Sequence, residues 1–315
     1  MWWAEVAGSV FARLWRMAPL LLATASLCWA GNTVIGRAVH ATVPPVALAF
    51  WRWAGAFLVV LPFARAPLQR DWPVLLRHWR SMTVLSLTGI ATFNTLLYRG
   101  LDQTTAVNGL LLQSAMPLMI LLASGILYRE RPTMRQTIAI LISLAGVAVI
   151  AARGSPARLG ALSINPGDVW VLAAVASYAL YSSALRDRPP VHPLSFLATS
   201  FALGTLMLLP LYVFETMAGE NPVLTPGTLA AFAYVAVIPS CLAYLCFNRG
   251  VELIGSARGG QYVHLVPVFG TLLAMVLLGE RLRGFHFVGI ALIAAGLVLA
   301  ARQPRERGSA SPRVR

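Results

Sequence analysis

The 315-residue sequence contains no lysine, and its acidic residues number only eleven. Charged residues make up 11 % of the chain, whereas hydrophobic residues make up 58 % and the mean hydropathy is +0.71. Apolar stretches of about 20 residues recur, a length that crosses the hydrocarbon core of a bilayer. A soluble enzyme of this length could not bury so many of them. The composition therefore predicts an all-α polytopic membrane protein.

The scarcity of reactive side chains excludes several chemistries. All eleven carboxylates lie at the ends of apolar stretches or between them, so none is placed to exchange a proton for a cationic drug at mid-membrane. Cys28, Cys241 and Cys246 lack Cys-x-x-Cys spacing and are interpreted as small buried hydrophobes. The sequence contains no phosphate-binding loop, metal-ligand spacing or nucleophile constellation. We therefore expect no enzyme activity, no metal and no cofactor.

The formal net charge of +14 comes from an excess of arginine. Because basic residues accumulate in the cytoplasmic loops of membrane proteins, topology explains this charge without nucleic-acid binding. With both termini in the cytoplasm, eighteen arginines lie on the inner side and six on the outer side. Arg52 remains inside an apolar stretch. The sequence predicts a multi-pass protein in contact with lipid, with both termini cytoplasmic.

Hydropathy and turn residues predict ten membrane-spanning helices. They lie near residues 18–36, 45–64, 82–99, 104–127, 134–152, 167–185, 194–214, 228–248, 256–279 and 285–301. Residues 302–315 carry five arginines among Gly, Ser and Pro and are predicted to form a disordered basic cytoplasmic tail.

About fifty residues near the end of the chain repeat fifty residues of the first half at a constant offset of 150. The matches include Arg99-Gly100 with Arg249-Gly250, Pro117 with Pro267, Glu130-Arg131 with Glu280-Arg281, and Gly146 with Gly296. We predict a first five-helix repeat over 1–152, a linker over 153–166 and a second repeat over 167–301. Because five is odd, the second repeat must enter the membrane inverted. Two inverted repeats around a central cavity are typical of secondary transporters.

Several segments resemble the EamA-type branch of the drug/metabolite transporter superfamily. They are Trp29-Ala30-Gly31-Asn32, Arg52, Pro117, Pro267, Leu127-Tyr128-Arg129-Glu130-Arg131, Leu278-Gly279-Glu280-Arg281, Leu144-Ala145-Gly146-Val147 and Ala294-Ala295-Gly296-Leu297. The resemblance covers nearly the whole chain as two five-helix units. It implies export of metabolites, amino acids among them, through a central cavity in a bacterial inner membrane.

Arg52 is the one charge placed deep within a predicted span. It lies seven residues from Pro45, which is about 10 Å along a helix, and a central arginine costs about 2.5–3.5 kcal/mol on insertion scales. One interpretation is a cavity cation that holds a substrate carboxylate or phosphate. The other is an arginine bonded to exposed carbonyls at a kinked helix, with a purely structural role.

Other polar and aromatic residues recur within the spans, several at equivalent places in the two halves, and are predicted to face inward, where they find partners. The candidate substrate-binding residues beside Arg52 are Trp29, Asn32, Asn94, Tyr98, Gln113, Tyr178, Tyr181, Tyr244, Gln261 and His264. Ordinary interhelical hydrogen bonding is the alternative for each. His264 could also bind a proton near neutral pH.

Pro117 and Pro267 lie at equivalent positions in the fourth and ninth predicted spans. Proline removes a backbone hydrogen bond and kinks a helix. We interpret these kinks as candidate gates, with a static bend as the alternative.

These observations favour a secondary transporter that exports small zwitterionic or anionic metabolites, amino acids and aromatic ones among them, by alternating access. A monomer is the working expectation. One alternative is uptake or exchange of a phosphorylated metabolite on the same scaffold, which would need two or more cavity cations. A non-transporting receptor or lipid-handling protein is the other alternative, and it leaves the gated inverted halves unexplained.

Overall fold

The computed structural model describes residues 14–129, 133–155, 157, 165–254, 262–263 and 265–301. Within these ranges every regular element is helical. The helices are α1 (Ala18–Ala38), α2 (Pro45–Arg77), α3 (Trp79–Leu85, the π-helical turn Ser86–Thr92 and Phe93–Gln103), α4 (Ala106–Gln113), α5 (Met116–Tyr128), α6 (Met134–Ala151), α7 (Pro166–Ala184), α8 (Pro193–Met217), α9 (Pro226–Val237, the π-helical turn Ile238–Leu242 and Ala243–Ile254), α10 (Leu265–Leu278) and α11 (Gly284–Ala301). The predicted tail, residues 302–315, lies outside the described residues.

Five of the described helices are long and apolar enough to cross a membrane, and six if the bent pair α4–α5 is one span. The five are Ala18–Ala38, Pro45–Arg77, Pro166–Asp187, Pro193–Met217 and Pro226–Gly250. Shorter apolar helices occupy Thr137–Ile150, Leu265–Leu278 and Gly284–Gly296. The chain is therefore a multi-pass helical membrane protein.

Helix α2 continues well beyond its predicted span of 45–64. It runs for 33 residues to Arg77 with three prolines inside it, which corresponds to about 50 Å at 1.5 Å per residue. That length exceeds the ~30 Å hydrocarbon core. Its last part carries Arg70 and Asp71, so we expect this end of α2 to project into the interface and the aqueous phase. Hydropathy could not detect this extension, because its signal ends with the apolar stretch.

Two π-helical turns lie at equivalent places, since Ser86–Thr92 shifted by 150 residues overlaps Ile238–Leu242. Such turns interrupt the regular α-helical hydrogen-bonding pattern of the backbone and are frequent at functional sites. Each accepts a hydrogen bond from the first helix of the other half. Trp29 donates through Nε1 to the carbonyl of Pro239 at 3.1 Å, and Ser177 donates through Oγ to the carbonyl of Thr88 at 2.8 Å. Thus α1 packs on α9 and α7 packs on α3.

Helices α6 and α11 cross through a reciprocal glycine contact. A Cβ atom added to Gly146 would lie 2.7 Å from the carbonyl oxygen of Gly289, and one added to Gly296 would lie 2.6 Å from that of Ala139. Gly146 and Gly296 are repeat counterparts, and so are Ala139 and Gly289. The same patch on each helix therefore contacts its counterpart, as in an isologous interface, and the two helices run antiparallel.

Helices α2 and α8 also run antiparallel, because a carboxylate near the end of each helix binds the beginning of the other helix. Glu215, near the end of α8, accepts hydrogen bonds from the backbone N–H groups of Val46 at 3.1 Å and Ala47 at 2.7 Å. Asp71, near the end of α2, accepts from the N–H of His192 at 2.8 Å. A carboxylate at a helix N-terminus satisfies free N–H groups and complements the helix dipole.

Replacing Glu215 by glutamine is expected to lower the stability of the protein by about 1–2 kcal/mol, because the amide loses the charge and one of the two acceptor oxygens. The measurement is the melting temperature of the purified protein in detergent. Glu220→Gln is the matched control, since Glu220 lies five residues after Glu215 and is exposed. Equal melting temperatures for the two variants would contradict a capping role for Glu215.

Candidate functional site

Arg52 lies on α2 in the interior of the helix bundle, with only 4 % of its surface exposed. Its Nη1 atom donates to the Oδ1 atoms of Asn32 at 2.7 Å and Asn94 at 2.8 Å, and to the hydroxyl of Tyr98 at 3.0 Å. Tyr98 in turn donates to Asn32 Oδ1 at 2.6 Å. One terminal nitrogen of the guanidinium is thus held by α1 and α3, and the arginine is fixed within the first half of the chain.

The other edge of the guanidinium reaches the second half. Arg52 donates through Nε to the Oγ of Ser240 at 2.9 Å. Ser240 is fully buried in the π-helical turn of α9 and donates its own proton to the carbonyl of Val235 at 2.8 Å. Sequence reasoning missed Ser240. The signal that could have found it is a serine directly after Pro239, inside an otherwise apolar span.

The positive charge of Arg52 has no counter-ion in the part of the chain that the structure describes. No carboxylate of those residues lies within 4.0 Å of it, and arginine is not deprotonated in proteins. Its Nη2 atom makes no hydrogen bond with a described residue. Neutral oxygens offset only part of the cost of burying an ion, so this corner of the guanidinium is suited to an anionic group.

These contacts do not match the interpretation that Arg52 has a purely structural role, in which exposed backbone carbonyls hold its side chain. Its partners in the described residues are side-chain oxygens. Arg37 has the carbonyl-bonded arrangement instead, since its Nη1 donates to the carbonyls of Leu101 at 2.8 Å and Asp102 at 3.0 Å. The guanidinium of Arg52 also lies 4.5 Å from the ring centroid of Trp53, a cation–π contact.

Aromatic side chains from both halves gather near Arg52. Tyr178 contacts Tyr181 with ring centroids 5.3 Å apart and Phe93 at 4.8 Å. Trp29 makes an edge contact with Tyr244 at 6.0 Å. Phe93 and Trp29 lie one and three residues before the Arg52 partners Asn94 and Asn32.

Tyr178 and Tyr244 are each partly accessible. Tyr181 is buried, because it packs on the π-helical turn of α3 where Gly89 leaves no room for a Cβ atom.

The remaining candidates have different positions. Gln113 does not join the arginine cluster; its amide donates to the carbonyl of Gly109 at 3.1 Å and the hydroxyl of Thr33 at 3.4 Å. Gln261 and His264 lie outside the described residues.

The two prolines predicted to interrupt the middle of a helix both lie at the beginning of one. Pro117 is in the first turn of α5, after a break at residues 114–115, and the axes of Ala106–Gln113 and Leu118–Tyr128 differ by 47°. Pro267 is in the first turn of α10. Proline is well tolerated there, because the first N–H groups of a helix have no partner within it. A gating role for either proline stays a prediction.

Metal binding has no support among the described residues, where no group of three or more His, Cys, Asp or Glu side chains is placed to share an ion. The site is therefore a cation surrounded by neutral oxygens and aromatic rings. Such a site can bind and orient a small molecule, but the described residues around Arg52 include no acid–base pair for covalent chemistry.

Comparison with known proteins supports a transport role. The EamA-like transporter family matches the chain twice, over residues 16–152 and 165–302. The uncharacterized transporter YyaM of Bacillus subtilis is 28 % identical over 261 residues, which cover 82 % of this chain and 84 % of the relative. A probable terminal-alkyne amino-acid exporter of Streptantibioticus cattleyicolor is 27 % identical over 252 residues, covering 79 % of this chain and 80 % of the relative.

A solved crystal structure has the same fold, with a TM-score of 0.56 and 22 % identity over 90 % of this chain and 96 % of that chain. The two family matches together cover most of the sequence and confirm the resemblance seen in its motifs. The chain therefore belongs to the EamA-like transporter family, within the drug/metabolite transporter superfamily, and is a membrane transporter built from two EamA repeats.

Proposed function

We propose that this transporter exports small carboxylate-bearing metabolites, amino acids and aromatic ones among them, across the bacterial inner membrane by alternating access. The observation that carries the proposal is the buried guanidinium of Arg52, which has neither a counter-ion nor a hydrogen-bond partner for Nη2 among the described residues. An amino acid offers the carboxylate that such a cation selects. The similarity to a probable terminal-alkyne amino-acid exporter points the same way.

The aromatic surroundings favour a substrate with an apolar or aromatic side chain. Tyr178 contacts Phe93, the neighbour of the Arg52 partner Asn94, and both Tyr178 and Tyr244 are partly exposed. A site with a few polar groups and mainly aromatic walls binds the body of a ligand by burial and fixes its orientation through the polar end. A phosphorylated substrate is less well matched, because Arg52 is the only described arginine, lysine or histidine with a direct contact in this cluster.

For the architecture, we propose ten membrane-spanning helices arranged as two inverted repeats around a shared cavity, with both termini in the cytoplasm. The antiparallel pairs α2–α8 and α6–α11 support inversion, because each joins helices that occupy the same position in the two repeats. Two inverted halves can exchange conformations, which opens one site to either side of the membrane in turn.

The test is transport by purified protein in liposomes. The solutes are labelled L-phenylalanine, L-leucine, uridine and glucose 6-phosphate, each with and without a pH gradient. We expect movement of the amino acids, and the dependence on the gradient reports proton coupling. If glucose 6-phosphate moved and the amino acids did not, the substrate class would be wrong. No movement of any solute, with no shift in melting temperature, would contradict transport of these compounds.

A further inference from the structure

The two edges of the Arg52 guanidinium are used unequally. The Nη1 side is saturated by Asn32, Asn94 and Tyr98, which all belong to the first repeat. The Nε–Nη2 edge has a single described partner, Ser240 Oγ on Nε, which belongs to the second repeat. Arg52 thus forms a direct hydrogen-bonded link between the repeats, and that link uses the edge with an open donor.

A carboxylate binds arginine best through two parallel N–H···O bonds to one edge of the guanidinium. On Arg52 the available edge is Nε–Nη2, so a bidentate carboxylate must take the position of the Ser240 hydroxyl at Nε. The exchange favours the carboxylate, because it brings a negative charge and two acceptors where the serine offers one neutral acceptor.

The displaced serine is not left as an unsatisfied buried donor. Ser240 Oγ already donates its proton to the carbonyl of Val235, five residues earlier in α9. Losing Arg52 removes only what the hydroxyl accepts, and an under-used acceptor costs less than an unpaired donor. The link can therefore open and close reversibly.

We propose that the substrate carboxylate displaces Ser240 from Arg52 and so breaks the hydrogen bond by which Arg52 links the two repeats. This inference rests on the proposed function, since it specifies how the same site recognises its substrate. Arg52 stays bound to the first repeat through Asn32, Asn94 and Tyr98 while its bond to α9 is lost. Ser240 is then a specificity residue that competes with substrates, and a bidentate anion such as a carboxylate displaces it where a neutral or amine group does not.

The test compares Ser240→Ala with the wild type in equilibrium binding. The probes are L-phenylalanine and L-leucine, each beside the amine without the carboxylate, 2-phenylethylamine and 3-methylbutylamine. Removing the competing hydroxyl should tighten binding of the two amino acids about fivefold, the effect of one hydrogen bond. Binding of the amines should not change. If Ser240 had a purely structural role, its replacement by alanine would weaken amino-acid binding or leave it unaltered. The direction of the change in affinity therefore distinguishes the two roles.

The matched control is Ser86→Ala. Ser86 is also a fully buried serine in a π-helical turn, in the first repeat, and its hydroxyl has no hydrogen-bond partner among the described residues. Ser86→Ala should leave the affinities for the two amino acids and the two amines at the wild-type values. If Ser240→Ala does not fold, Ser240→Cys offers a weaker acceptor of similar size, and a smaller gain in amino-acid affinity is expected.

The outcomes separate this inference from transport itself. Wild-type transport of amino acids without a gain in affinity for either Ser240 variant would overturn the displacement and leave the proposed function intact. Tighter binding by Ser240→Ala without transport by any protein would support the displacement and overturn the function. If neither amino acid binds wild type or variant, both proposals are wrong.

Discussion

Replacing Arg52 by lysine is expected to reduce transport of L-phenylalanine and L-leucine by about a hundredfold, while the protein still folds. The variant keeps a positive charge, so the loss would come from geometry. The planar guanidinium offers two parallel donors to a carboxylate while Nη1 stays bound to Asn32, Asn94 and Tyr98; an ammonium cannot do both. A hundredfold change corresponds to about 2.7 kcal/mol, which is within reach of a bidentate charged pair.

Initial rates of uptake into liposomes measure this effect, and Arg37→Lys is the matched control. Arg37 is an arginine of the same repeat that holds the carbonyls of Leu101 and Asp102 and does not join the Arg52 cluster. Its lysine variant should transport nearly as well as the wild type. Normal transport by Arg52→Lys would show that the guanidinium does not hold the carboxylate, and Arg52 would then have a structural role.

The second large effect is expected at the contact between α6 and α11. Gly146→Leu should destabilise the protein by about 3 kcal/mol or more, because its Cβ atom alone would lie 2.7 Å from the carbonyl oxygen of Gly289 and 2.9 Å from Ile293 Cγ1. Backbone atoms cannot rotate away as side chains do, so the helices must separate. Close approach through glycine is a principal source of helix association in lipid, where no hydrophobic driving force acts between helices.

Thermal unfolding in detergent tests this prediction, with Gly284→Leu as the control, because a Cβ atom added at Gly284 meets no atom within 4 Å. Gly296→Leu should lower the melting temperature to about the same extent as Gly146→Leu, because Gly296 makes the equivalent contact with the carbonyl of Ala139. Retained stability in the Gly146 and Gly296 variants would contradict the reciprocal packing. A loss of stability in only one of the two variants would contradict the symmetry of the contact between α6 and α11.

Much of the architecture could be predicted from the sequence because hydropathy and repetition are properties of the linear chain. Apolar stretches located most of the described helices to within a few residues, although the extension of α2 to Arg77 was missed and the start of the ninth predicted span lies outside the described residues. The offset of 150 residues identified two EamA repeats before any contact was known. Composition alone indicated a membrane protein, and the placement of Arg52 in an apolar stretch selected it as the residue to explain.

The partners of Arg52 could not be assigned in the same way. Asn32, Asn94 and Tyr98 were chosen as polar residues in apolar spans, but nothing local showed that they share one nitrogen atom. Ser240 lies 188 residues from Arg52 and was not chosen at all. Which polar groups meet depends on which helix faces pack together, and that is decided by contacts among several helices at once.

The sequence by itself therefore determined the class of protein, its repeats and the buried cation, because each follows from the cost of placing polar or charged groups in lipid and from the order of residues along the chain. Only the tertiary structure decided that the cation is held by the first repeat, linked to a π-helical turn of the second and left with one nitrogen unpartnered among the described residues. Those features arise from helix packing, since close glycine contacts and a few directional hydrogen bonds select one arrangement among the many that hydropathy allows.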